Sequence, residues 1–136
     1  MSEIQLDIAF GGLSSFKMNE PIVLKAWITN IGTHTVKITD THILREFDVR
    51  VMFENGQPVP MSAQGHQLNE SVNGAASFRR VVIDLDPGSC HQLAAEIKLN
   101  EWFQLDRPDT YIVHIQRKDD GKDQPIISNL VVFIIK

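Results

Sequence analysis

The side chains able to do chemistry are few and widely spaced. The chain has five histidines (His34, His42, His66, His91 and His114) and a single cysteine, Cys90. A helical zinc site would place two histidines four residues apart around a glutamate. No His-Glu-x-x-His occurs here, and no His-x-His either. Two histidines fall in expected loops and two beside expected turns, so solvated or singly hydrogen-bonded imidazoles are expected, and no metal. Cys90 and His91 are neighbours. In an extended segment alternation sends adjacent side chains to opposite faces, whereas a thiolate–imidazole pair needs both groups at one point. A blue-copper site would need a histidine a few residues after the cysteine and then a methionine, and neither spacing occurs. No Gly-x-Ser-x-Gly, no phosphate-binding loop and no dinucleotide fingerprint is present. The acidic run Asp119-Asp120-Gly121-Lys-Asp123 lacks the distal glutamate of a calcium loop and carries a lysine inside it, so it reads as a charged hairpin tip. The chain therefore offers no catalytic set, and the reading is a protein that is not an enzyme and uses no cofactor.

The totals narrow the class further. At 136 residues, with 43% hydrophobic and 22% charged residues, the chain fits one globular domain spanning 1–136. Its net charge of −4 supplies no basic face for nucleic acid. With one cysteine there is no internal disulfide. No apolar run reaches the ~18 residues of a membrane span. Met1-Ser-Glu-Ile-Gln lacks the basic and apolar regions of a signal peptide. The expected compartment is the cytoplasm if the sequence is full length, or outside it if a leader has been removed.

The elements that position these residues are strands. Arg107-Pro108-Asp109 is a turn signal, followed at once by alternation. Tyr111, Val113 and Ile115 fall on one side, and Ile112, His114 and Gln116 on the other. A tyrosine opening a strand after such a corner can bury its ring and return its hydroxyl to a nearby backbone group. Alternation also marks strands over 4–8, 22–30, 35–39, 47–53, 77–85, 91–99 and 126–135. Asn55-Gly56 reads as a tight hairpin turn, with Pro58 and Pro60 marking the return segment as a sheet edge. Asp86-Pro87-Gly88 is a further turn. The segments 41–46 and 100–104 each have room for one helical turn. The polar stretch 62–76 reads as the longest loop. Eight or nine short strands with no helix beyond one turn predict an all-β fold, an immunoglobulin-like sandwich of two antiparallel sheets.

A resemblance follows from particular motifs. Asn19-Glu-Pro-Ile-Val-Leu24 with Trp27-Ile-Thr-Asn30, Leu85-Asp-Pro-Gly88, Leu105 to Val113, and Ser128-Asn-Leu-Val-Val-Phe133 resemble the recurring pattern of bacterial immunoglobulin-like (fibronectin-III-like) sandwich domains. The layout is also similar to the N-terminal sandwich domain of deuterolysin-type proteases. The resemblance covers nearly the whole chain, with Asp109 standing where the family usually has glycine. It implies a fold and no activity.

Two surface features carry the functional expectation. The last strand has apolar residues on both faces, where a sandwich strand would alternate with polar ones. Leu130, Val132 and Ile134 with Ile112 of the neighbouring strand form an outward apolar strip. Another subunit, a neighbouring domain or the 62–76 segment folded back would cover it. The second feature is Trp27, on a polar-side face with Lys25 and Thr29. With Phe78, Arg80 and Glu96 on adjacent strands it would form an aromatic platform for a carbohydrate. The alternative is a tryptophan covered by a loop or by aliphatic stems. The favoured reading is a non-catalytic protein-interaction or structural module that binds a protein partner or a second copy of itself; a carbohydrate- or small-ligand-binding module at Trp27 is the other.

Overall fold

A computed structural model describes residues 3–12, 14–74, 81–118 and 126–136. The first sheet holds β1 (Ile4–Phe10), β3 (Val23–Asn30), β7 (Cys90–Gln92) and β8 (Ile97–Lys98), with β1 on one side of β3 and both short strands on the other. The second holds β2 (Ser15–Phe16), β10 (Val131–Ile135), β9 (Asp109–Arg117) and β5 (Phe47–Phe53), in that order. All their pairings are antiparallel except β2 with β10. A third pair, β4 (Val36–Asp40) with β6 (Val81–Leu85), is tied to the first sheet. Asn30 makes that tie by donating to the carbonyls of His34 and Leu85, both at 2.8 Å, while its Oδ1 accepts the Gly32 N–H. The fold is the expected immunoglobulin-like two-sheet sandwich.

The alternation of the sequence becomes the division between core and surface. Leu24, Ala26 and Ile28 of β3 and Leu6 and Ile8 of β1 face Tyr111, Val113 and Ile115 of β9 and Phe133 and Ile135 of β10. Tyr111 is fully buried. Its ring stacks on Phe133 with centroids 5.3 Å apart, and its hydroxyl donates to the Arg107 carbonyl at 2.6 Å. The expected tyrosine corner is therefore present. Asp109 is the first residue of β9 and does not take a positive φ.

The motif Ser128-Asn129 joins the two sheets. Ser128 Oγ accepts the Ile115 N–H at 2.9 Å and donates to the Asn129 carbonyl. The Asn129 amide accepts the Ile8 N–H at 2.8 Å and donates to the Ile8 carbonyl at 3.0 Å, so a side chain stands in for a neighbouring strand at the edge of β1. At the Asn55-Gly56 turn only Gly56 takes a positive φ, 88°, and its N–H closes the turn on the Phe53 carbonyl. Gly88, at φ 81°, sits where a Pro-Gly turn requires a positive φ.

Three expectations are corrected. The segment 62–76 is not a loop: Ala63–Gly74 is a twelve-residue helix, α2, longer than the single turns of α1 (Ile43–Glu46) and α3 (Leu99–Trp102). Ser62 starts it, its Oγ accepting the Gly65 N–H and its carbonyl the His66 N–H. The helix packs on α1 and α3. The expected strand 91–99 is split into β7 and β8, bridged by the Leu93 N–H on the Ala26 carbonyl. With β2 added, the described residues hold ten strands rather than eight or nine. Phe78, Arg80 and the acidic tip 119–123 lie outside the described residues.

Two substitutions test this architecture. Tyr111→Phe removes the corner hydrogen bond and is expected to cost about 1 kcal/mol, read from the urea midpoint. At Gly65 an added Cβ would run into the backbone carbonyl of Trp102, which cannot swing aside as a side-chain tip would. Gly65→Ala is expected to destabilise by about 1–3 kcal/mol despite alanine's better helix propensity, because the helix must lift from α3.

Candidate functional site

Since Tyr111, Val113 and Ile115 face the core, Ile112, His114 and Gln116 must face outward. The strand register then sets their neighbours. Ile112 lies between Met52 of β5 and Val132 of β10, His114 opposite Arg50, and Gln116 opposite Asp48 and Ile127. Thr110 lies opposite Ile134. Leu130 is 63% exposed, Val132 52%, Ile127 51% and Ile134 42%. These are four of the seven exposed large hydrophobic residues among those described, so the apolar exposure is concentrated on one segment. Ile112 is half-buried among them. The structure thus brings Ile112, Val132 and Ile134 together with Leu130 beside them, as the alternation predicts. The described part of the 62–76 segment, through Gly74, does not cover them, because α2 is held elsewhere. Arg45 donates to the Val72 carbonyl, Asn73 to the Leu44 carbonyl, and Lys118 Nζ to the Leu44 carbonyl and Asn73 Oδ1.

Parts of this sheet's flanks are already hydrogen-bonded. Beyond β5, Val59 N–H donates to the Val51 carbonyl and Phe53 N–H to the Gln57 carbonyl, with Pro58 bridged to Met52. Beyond β10, Ile134 N–H donates to the Ser14 carbonyl and Lys136 N–H to the Phe16 carbonyl. A backbone-to-backbone partner finds little to pair with there.

Trp27 is half-buried on the outer face of the first sheet, between Asp7 of β1 and Gln92 of β7. Glu96 is exposed just before β8. The strand that follows Arg80, β6, pairs with β4 and not with β3. Cys90 is exposed opposite Thr29, whereas His91 lies opposite Ile28 and meets Asp40 at 2.8 Å, so the two side chains do part. Asp40 also accepts the Ala94 N–H. The Asp40–His91 contact joins β4 to β7, a long-range pairing that one sequence carries no signal for.

Two histidines are held below their ordinary 6.5. Burial does this to His42, whose Nδ1 accepts the Leu44 N–H at 3.1 Å as the cap of α1 and whose ring lies 5.7 Å from that of Trp102. Burial, and then the Arg50 guanidinium, does it to His114. His114 Nδ1 is buried with no hydrogen-bond partner among the described residues. Among those residues no three histidine, cysteine or acidic side chains gather as a metal site, and no helix is long and apolar enough to cross a membrane.

No protein-family model matches the chain, and no curated protein sequence matches it. Among solved structures, the chain is similar to a CARDB domain from Pyrococcus furiosus, in complex with di-metal ions, at 11% identity and a TM-score of 0.48, covering 97% of this chain and 91% of that one. It is also similar to a family 123 glycoside hydrolase from Clostridium perfringens (11% identity, TM-score 0.39, 98% of this chain and 27% of that one). A third is AvmM, which catalyses macrocyclization in alchivemycin A biosynthesis (12% identity, TM-score 0.37, 98% and 88%). At these values the sandwich stands on its own strands and registers.

The His42 cap carries a pH dependence. An imidazole held neutral in the fold takes up a proton on unfolding, so its stabilisation is complete above 6.5 and is lost as the pH falls from there through the lowered folded value. Thermal melts from pH 8 to 5 are expected to show a falling Tm below 6.5. His42→Asn keeps a capping oxygen without the titration, and is expected to narrow the difference between pH 7.5 and 5.5.

Proposed function

We propose that this chain is a non-catalytic, immunoglobulin-like interaction module of the bacterial fibronectin-III-like kind, and that it pairs with a second copy through the outer face of β10, β9 and β5. The observation that carries the reading is the exposed strip Ile127, Leu130, Val132 and Ile134 beside Ile112 and Met52. Burying such side chains contributes about 25 cal/mol for each Å² taken from water. The motif residues support the non-catalytic part. Asn30, Tyr111, Ser128 and Asn129 each spend their polar groups on holding the fold.

A second copy suits this face. The three strands β10, β9 and β5, about 4.8 Å apart, give a plan area of roughly 350 Å², so a pair formed here is smaller than the ~800 Å² per partner of a standard-size interface. The flank is self-complementary: Asp48 and Arg50, two residues apart on β5, are both exposed and carry opposite charges. A two-fold copy can set each Asp48 against the other's Arg50. The hydrogen bonds already made beside β10 and the end of β5 favour the face over strand addition there.

Sedimentation velocity of the whole chain at neutral pH tests this, with a concentration-dependent dimer expected. Val132→Lys puts a charge on a half-exposed site, so its fold stability should stay within about 0.5 kcal/mol while the protein becomes monomeric. A wild-type chain that remains monomeric at high concentration removes the reading.

A further inference from the structure

We propose, resting on that reading, that the two-copy assembly forms with His114 neutral and comes apart on acidification. His114 lies on the outer face of β9, flanked on its own strand by Ile112 and Gln116, neither of which ionises. From β5 it faces Arg50 directly and Asp48 one pair along on the diagonal. On the β10 side its strand neighbours Ile112 and Gln116 pair with Val132 and Ile127, so the register brings it no charge from there. Directly opposed residues have Cβ atoms about 5 Å apart and diagonal ones about 7–8 Å, so repulsion by Arg50 outweighs attraction by Asp48. Among the described residues His114 Nδ1 is already buried without an acceptor. A second copy on this face removes the water that could otherwise serve the imidazolium, so the charged ring costs more in the pair than in the single chain. The lowered titration of His114 in the single chain has the same sign. Each copy contributes one such ring, and both must be neutral for the face to close dry. Association is therefore strongest above the value, itself below 6.5, at which His114 titrates in the single chain, and weakens as the pH falls through it.

Sedimentation of the full chain at pH 7.5 and 5.5, at equal ionic strength, tests this with wild type, His114→Phe and His114→Gln. The wild type is expected to be dimeric at pH 7.5, with a dissociation constant severalfold weaker at pH 5.5. His114→Phe is expected to stay paired at both. His114→Gln, polar but unable to titrate, serves as the second variant if the phenylalanine protein folds poorly, and should likewise lose the pH response. Near-UV circular dichroism at both pH values establishes that the chains compared are folded. A wild-type dimer indifferent to pH overturns this inference and leaves the interaction reading standing, and so does a pH response that both variants retain. A wild-type monomer at pH 7.5 overturns both.

Discussion

The burial of Tyr111 is the constraint from which the rest of the structure follows. A large ring with one polar atom can be enclosed only if that atom finds a partner. The Arg107 carbonyl supplies it from four residues upstream, while Phe133 and Phe53 lie against the ring. The Arg107 guanidinium in turn lies 3.9 Å from the centre of the Phe53 ring and reaches Asp109, so the corner is held from outside as well. With Tyr111 fixed inward, period two leaves no choice for the rest of β9. A slip of one residue would bury His114 and Gln116 and expose Val113 and Ile115. The outward placement of Ile112 and His114 is thus a consequence of an inward anchor.

The same logic separates what could be read from the sequence from what could not. Strands with strict alternation, such as β3, β5 and β9, were legible because one face is apolar and the other polar. The apolar strip was legible for the opposite reason, since Val132 and Ile134 break that alternation. The helix α2 was not. Its inward positions Gly65, Leu68 and Val72 do follow helical spacing, but a glycine contributes no apolar signal and the rest of the segment is polar. What makes Gly65 necessary is the backbone of Trp102, 37 residues later in the chain, and a local pattern cannot report such a contact.

Long-range polar contacts were hidden in the same way. Asp40 and His91 look like ordinary loop-end residues until the third strand pair is placed against the first sheet. Asn129 reads as part of a motif, yet its work is done on Ile8 at the other end of the chain. The platform expected around Trp27 depends on which strands are neighbours: β3 has Asp7 and Gln92 beside its tryptophan, and Phe78 and Arg80 lie outside the described residues.

The stopped edges also bear on how far this protein can assemble. Backbone ladders are open-ended, because each added strand offers the next the same row of donors and acceptors. Pro58, the two-residue β2 and the Asn129 amide interrupt that row at separate places. Side-chain packing across a two-fold axis instead consumes the surface that forms it. On the proposed pairing the contact would therefore have a growth limit of two, which separates a finite complex from a fibre.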